Sequence, residues 1–256
     1  MRVTVCELSH EEDDFQENWD QLIQHVRSEQ SDLVLLPEMP FSPWFAASPA
    51  FDPEVWAAAV SAHDQWIDRL SELAPVSVLG SRPVRREDAR LNEAFAWEVE
   101  SGYHPAHHKY YLPDEEGFWE ASWYQRGDGS FRPVDVGEAT VGFAICTDIW
   151  FFHRARAYGQ AGAHLLAHPR ATLRINLDKW LAAGRAAAVV SGAFCISSNH
   201  VCPRHSKPDL GGMGWIVGPD GEVLGLTSRE EPFVTREIDL MDAVDAKATY
   251  PRYVAD

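Results

Sequence analysis

Three polar residues stand where apolar runs give out: Glu38 after Leu33-Val-Leu-Leu-Pro37, Lys109 after a His-rich approach, and Cys146 after Val141-Gly-Phe-Ala-Ile145. A thiol attacks as thiolate, so it needs a base to take its proton or a positive neighbour to hold the anion. A carboxylate and an ammonium supply those two needs, and the chemistry open to the three together is nucleophilic attack by sulfur. Each alone has a plainer reading: Glu38 as a loop cap, Lys109 as a solvated charge, Cys146 as the small buried hydrophobe that most free cysteines are. In open α/β sheets ligands bind beyond the carboxyl ends of strands, and a strand over 141–145 delivers Cys146 there.

The elements that must position these residues follow from periodicity. Residues 2 to 8 alternate weakly and read as an edge or near-edge strand. From 12 to 29, Phe15, Trp19, Leu22, Ile23 and Val26 form one apolar stripe on an otherwise acidic helix. Leu33 to Leu36 is a short apolar run, as expected of a strand covered on both faces. Asp52-Pro53-Glu54 starts a second helix, with Asp as N-cap, Pro at the first position and an acid near the positive dipole end. Its apolar face carries Trp56, Val60, His63, Ile67 and Leu70, and His63 reads there as a hydrogen-bonded core residue. Strands are predicted over 76–80 and 94–99, with Arg82 to Arg90 a charged connection.

Beyond Cys146 an Ala-rich helix over 151–162 leads into a strand over 163–167 closed by His168-Pro169, a β-α-β order that makes the neighbouring strands parallel. A second Ala-rich helix, about 176–190, precedes a strand over 193–199. Trp215-Ile-Val217 and Glu222-Val-Leu224 flank Pro219-Asp-Gly221 as a hairpin, since Asp-Gly supports the dihedrals that tight turns require. Residues 240 to 256 lack a clear period and read as a C-terminal tail.

The 256 residues, 45% hydrophobic and 24% charged, suit one soluble α/β domain over 1–256, and no apolar run reaches the roughly 18 residues of a membrane span. A formal charge of -17 argues against a nucleic-acid partner, which needs a basic footprint. The start, Met1-Arg-Val-Thr-Val-Cys6, enters a strand-like segment with no apolar signal core, so export is not expected and the reading is cytoplasmic. Four cysteines without C-x-x-C pairing fit reduced, individually placed thiols. A zinc site from Cys195, His200, Cys202 and His205 has the right residue types. Its C-x6-C spacing is wrong for a usual zinc pair, and strand alternation sends the two cysteines to opposite faces, so no metal is predicted.

Taken in order, the motifs resemble those of the nitrilase superfamily of carbon–nitrogen hydrolases, over nearly the whole chain. Leu36-Pro-Glu38 matches the family's glutamate motif, His108-Lys109-Tyr-Tyr-Leu112 its lysine motif and Gly142-Phe-Ala-Ile-Cys146-Thr-Asp148 its cysteine motif. Gly162-Ala163, Pro169, Arg185-Ala186, Ala193 to Asn199 and Ile216 to Val223 are similar to later landmarks. The resemblance implies a four-layer α-β-β-α sandwich, a Glu-Lys-Cys triad and a second glutamate. Glu115, Glu116 and Glu120 compete for that last role; Glu120 is favoured by its spacing to Gly127, with Glu116 second and Asp114 and Glu115 read as a solvated loop.

By the same resemblance Cys146 is the nucleophile, Glu38 the base that takes its proton and later activates water, and Lys109 the cation facing the oxyanion, completed by the backbone N–H of Thr147. Glu120 holds Lys109 or the leaving amine. No metal or organic cofactor is implied, and the partner is a small-molecule amide. Thr147-Asp148 replaces the Trp-Glu of nitrile-hydrolysing members, which favours amides, with N-carbamoyl compounds next and nitriles last. Phe152-His153 replaces the common Pro-Glu and leaves the start of the next helix open. A silent binding protein on the same fold is the reading from a different class. The family commonly pairs subunits through the region of the two Ala-rich helices, which implies a homodimer or a larger homo-oligomer. His104, His107, His108, Trp119, Trp123 and Trp150 flank the motifs and suggest a partly aromatic pocket. Finally Arg170, at the end of the strand after the nucleophile strand, should emerge at the same edge as Cys146. There it could grip a substrate carboxylate with two hydrogen bonds or, in the plainer reading, pair with an acid on the surface.

Overall fold

The structure, a computed structural model, describes residues 1–9, 12–203 and 206–255. In chain order the elements are β1 (Arg2–Leu8), α1 (Glu12–Ser28), β2 (Leu33–Leu35), α2 (Pro53–Arg69), β3 (Ser77–Arg86), β4 (Ala89–Glu98) and β5 (Gly102–His108). There follow α3 (Glu120–Trp123), β6 (Val134–Val136), β7 (Ala139–Phe143), α4 (Phe152–Gln160), β8 (Leu165–Arg170), α5 (Leu177–Ser191) and β9 (Phe194–His200). The last are β10 (Trp215–Val217), β11 (Val223–Leu226), β12 (Phe233–Glu237) and α6 (Leu240–Ala246). The fold is mixed α/β. Among the described residues no helix is long and apolar enough to cross a membrane.

The strands run in the order β5-β4-β3-β2-β1-β9-β8-β7-β6, with β12 against β1 and β10-β11 against β9. β1 is therefore the junction of two wings. Its first half pairs β2 in parallel and β12 antiparallel, and Glu7 and Leu8 at its end pair Asn199 and His200 of β9. This corrects the edge-strand reading of residues 2 to 8. The weak alternation came from Thr4 and Glu7, which are buried and satisfied inside: Thr4 bonds Ser31 and Thr235, and Glu7 accepts from Met213 N and Thr227 Oγ1.

Strand alternation sends neighbouring residues to opposite faces, and the cores divide accordingly. Val3, Val5, Leu33, Leu35 and Leu79 of one wing meet Val141, Phe143, Leu165, Ala167 and Ile196 of the other in a single cluster. The alternate residues Cys6, Leu8, Val34 and Val78 take the stripe of α1. On the second wing Leu166, Cys195 and Val217 take Ala155 and Tyr158 of α4 and Ala183, Ala187 and Ala188 of α5. The small residues let α4 and α5 approach closely, and a Cβ on Gly159 would collide with the carbonyl of Ser191.

Local signals held where they were strong. The side chain of Asp52 accepts from Glu54 N and Val55 N at the start of α2. His63 is a neutral core residue, its Nδ1 bonded to Ala59 O and its Nε2 accepting from Phe41 N, with burial pushing it down to about 3. Two segments differ. The tail begins with α6, capped by Asp239 and burying Ala243 and Ala246; seven residues are too few to display a period. The charged connection Arg82 to Arg90 is itself strand, with β3 and β4 paired out to Arg86 and Ala89.

The charges of that hairpin are held by Glu93, whose side chain is fully buried and accepts from Arg86, Tyr103 and His108. Burial by itself would raise this carboxyl; the bonds from His108, Arg86 and Tyr103 outweigh it and hold the group at about 2, below its ordinary 4.5. A depressed carboxyl contributes stability above its unfolded value, and that contribution is lost as pH falls from about 4.5 toward 2. The shift corresponds to at most about 3 kcal/mol, less what screening of the half-exposed Arg86 removes. In acid titrations followed by circular dichroism, Glu93→Gln should be less stable than the native chain at neutral pH and lose less between pH 4.5 and 2. Parallel curves would remove Glu93 from the account.

Candidate active site

Each of the three polar residues is delivered by a strand end. After β2, Leu36 still bonds Leu79 O, Pro37 cannot extend the ladder, and Glu38 is anchored by its N–H to Arg170 O (3.4 Å) and its carbonyl to His200 Nε2 (2.6 Å). After β5, Lys109 donates its N–H to Asn92 O (2.9 Å) and accepts from Gly127 N (3.0 Å). After β7, Ala144 N still bonds Ala167 O, and Cys146 then opens a short 3-10 turn, Cys146–Trp150. Its φ of 44° is uncommon for a residue with a side chain.

The side chains converge on a buried ammonium. Lys109 Nζ lies 2.8 Å from Glu38 Oε1 and 2.6 Å from Glu120 Oε2, with all three side chains fully buried. Glu38 Oε1 also accepts from Asn92 Nδ2 (2.7 Å) and Oε2 from Ala171 N (3.2 Å), while Tyr124 donates its hydroxyl to Glu120. Cys146 Sγ stands 3.9 Å from Ala171 O, beside the residue whose N–H holds Glu38.

Two carboxylates and one ammonium leave the cluster negative. Burial disfavours the Lys109 ammonium, but Glu120 and Glu38 outweigh it and its pKa is raised. Burial pushes Glu120 up to about 7, Lys109 opposing the rise and Glu38 adding to it. The Cys146 thiol is raised well above the ordinary range by burial first and the Glu38 carboxylate second, and Lys109 offsets only part of this. The resting sulfur is therefore protonated at neutral pH, so attack has to be coupled to removal of its proton.

A small pocket of about 70 Å³ opens onto this cluster, with Cys146, Thr147, Glu120, Ala171, Phe118 and Trp180 in its wall. Glu120, not Glu116, is the glutamate on Lys109, and Glu115, exposed as a solvated loop residue should be, also lies on the pocket wall. The aromatic walls are Phe118 and Trp180, whereas the six His and Trp residues singled out by proximity to the motifs do not line it.

Arg170 requires a correction. Its backbone reaches the right edge, since its carbonyl receives Glu38 N, but its guanidinium is fully buried on another face. There it donates to Ser197 Oγ, Thr172 Oγ1 and the carbonyls of Gly212 and Met213 and lies 4.2 Å over the Trp215 ring. It neither lines the pocket nor sits on the surface, and burial lowers it to about 9. Of the zinc alternative, Cys195 is buried in β9, Cys202 Sγ is directed at Pro208 O, and His205 lies outside the described residues. Among the described residues no group of three His, Cys, Asp or Glu could hold a metal.

Asn92 and Tyr124 were not read from the sequence, and Asp148 was read there as the end of the cysteine motif but given no role of its own. Asp148 is buried and accepts from His107 Nε2 (2.9 Å), Tyr110 N (3.2 Å) and Tyr111 N (3.0 Å), tying the chain after Lys109 to the turn after Cys146. Its signal was a carboxylate two residues beyond the thiol, closing the motif at the end of an apolar run.

Comparison with known proteins gives this geometry a context. The family described as carbon-nitrogen hydrolase matches residues 2–248. The chain is 28% identical to a chloroplastic omega-amidase of Arabidopsis thaliana, over 85% of this chain and 61% of that protein. It is 29% identical to an N-carbamoylputrescine amidase of Oryza sativa subsp. japonica, over 52% of this chain and 49% of the relative. These alignments span about half to three fifths of the curated relatives. In fold it is similar to a carbon-nitrogen hydrolase from Helicobacter pylori, with a TM-score of 0.86, 22% identity and 98% and 94% of the two chains covered. It is also similar to a mutant amidase from Nesterenkonia sp. that shows Michael addition of acrylamide at its active site cysteine, with a TM-score of 0.75, 20% identity and 97% of both chains covered. With a family match that runs through nearly every element and contains Glu38, Lys109, Glu120 and Cys146, the chain belongs to the carbon-nitrogen hydrolase family.

Proposed function

We propose that the chain hydrolyses a small-molecule amide, releasing ammonia or an amine, with Cys146 as nucleophile. The observation that carries this reading is the buried Glu38-Lys109-Glu120 cluster meeting Cys146 at one pocket. Glu38 accepts the Sγ proton as sulfur attacks the amide carbon. The oxyanion that forms faces Lys109 and the backbone N–H of Thr147, where fixed donors are worth more than in water. The nitrogen leaves with the proton, a thioester remains on Cys146, and Glu38 then takes a proton from the water that attacks it and returns that proton to Sγ as the C–S bond breaks and the acid leaves. Glu120 positions Lys109, held in turn by Tyr124.

The amidase names of the relatives and the cysteine adduct of the Nesterenkonia amidase support this reading, and the name of the rice relative favours N-carbamoyl compounds as the runner-up. With it we propose that two copies pair through the region of α4 and α5. The test is ammonia release from a panel of primary amides, N-carbamoyl amines and nitriles. Amides should turn over fastest and nitriles slowest; turnover of nitriles alone, or of nothing, would overturn the reading.

A further inference from the structure

We propose that Glu115 makes the enzyme selective for amides whose far end is cationic, against those ending in a carboxylate. The inference rests on the amidase reading and concerns the mouth of the same pocket. Two charged side chains line that pocket among the described residues, and both are acids. Glu120 is occupied by Lys109 and Tyr124 at the buried end. Glu115 is exposed, and no ion pair to its carboxylate is found among the described residues.

The position of Glu115 is fixed by its backbone. Glu115 and Phe118 exchange both hydrogen bonds of a short bridge, at 3.3 and 2.8 Å. Trp44 Nε1 holds the Gly117 carbonyl at 3.0 Å, and Trp119 N bonds Ala46 O at 2.7 Å. The same wall carries Asn176 and Trp180, a neutral amide and an indole, and an indole face also attracts a cation. The arginines of the neighbouring strand end are committed elsewhere. Arg174 is paired with Asp209 at 3.1 Å and bonded to the carbonyls of Cys202 and Leu210, and Arg170 is enclosed against Trp215. A substrate carboxylate would thus meet Glu115 with no compensating cation on the wall among the described residues, under the field of a chain of net charge -17. An ammonium or guanidinium gains an ion pair at that place.

The experiment uses the full chain and three primary amides of equal length ending in ammonium, methyl or carboxylate. The expected kcat/KM order is ammonium, methyl, carboxylate. The ammonium-to-carboxylate ratio should fall about three- to tenfold in Glu115→Gln, invert in Glu115→Lys, and narrow at high salt. A carboxylate preference in the native chain, or a ratio that neither variant moves, would overturn the inference; in both cases the amidase reading would stand. Absence of turnover on every amide would remove the amidase reading. The rate of Cys146 alkylation by chloroacetamides with the same three tails then decides: fastest with the cationic tail upholds the selection by Glu115, and equal rates overturn it.

Discussion

Cys146→Ala should lower amide turnover by about 10⁴-fold or more while the chain stays folded. The substitution removes one buried sulfur and its long contact to Ala171 O, while the backbone of the turn stays held by the bonds of Ala144 N to Ala167 O and Asp148 N to Ile145 O, so the stability cost should stay near ~1 kcal/mol. Ammonia release and thermal melting by circular dichroism, measured on one preparation, separate the two effects. Turnover within about tenfold of the native rate would end covalent catalysis by this thiol. Glu38→Gln is the companion variant. It keeps the shape of the side chain but removes the proton acceptor, worth about 10²- to 10⁴-fold. It also removes the second largest influence that keeps the thiol protonated. Two measurements should therefore move in opposite directions: turnover collapses, while the pH at which iodoacetamide alkylates Cys146 shifts downward. A merely structural glutamate would not produce that pair.

Lys109→Met should cost both activity and about 3–5 kcal/mol of stability, because it leaves Glu38 and Glu120 buried without their shared cation. The loss should depend on pH with a definite sign. Glu120 already sits at about 7, raised by burial, and removing Lys109 takes away what opposes that rise. A carboxyl raised in the folded state contributes stability that is present below its unfolded value of 4.5 and lost as pH rises through the folded one. Denaturant unfolding should show the deficit of Lys109→Met smallest near pH 5 and larger at pH 8. Adding Glu120→Gln should restore part of the stability and none of the turnover, since one of the two unpaired charges is then gone. A deficit equal at both pH values, or none, would mean that the two acids are not held by this ammonium.

Glu38 and Cys146 were legible in the sequence because each stands where an apolar strand stops, and that transition is a local property; Lys109, after the His-rich 104–108 in which no strand was read, was picked out by its resemblance to the family's lysine motif. The stripe of α1 and the cap of α2 were legible too, since partners one to four residues apart settle them. Glu120 needed more than periodicity: among three nearby acids it was favoured because its spacing to Gly127 resembles that of the family's second glutamate. Asn92 fell between what read as a charged connection and the strand over 94–99, and its role was hidden because its partner Glu38 lies 54 positions away and comes within reach only when β4 runs beside β3. The same holds for Asp148, whose partner His107 is 41 residues distant. Arg170 shows the division most clearly. The β-α-β order correctly brought its backbone to the edge where Glu38 and Cys146 meet, because parallel strands share a direction. Which face its side chain takes depends on what packs there, and that is Trp215 with the carbonyls of Gly212 and Met213, more than 40 residues on. A buried guanidinium needs several acceptors at once, and only the tertiary structure assembles them from separate parts of the chain.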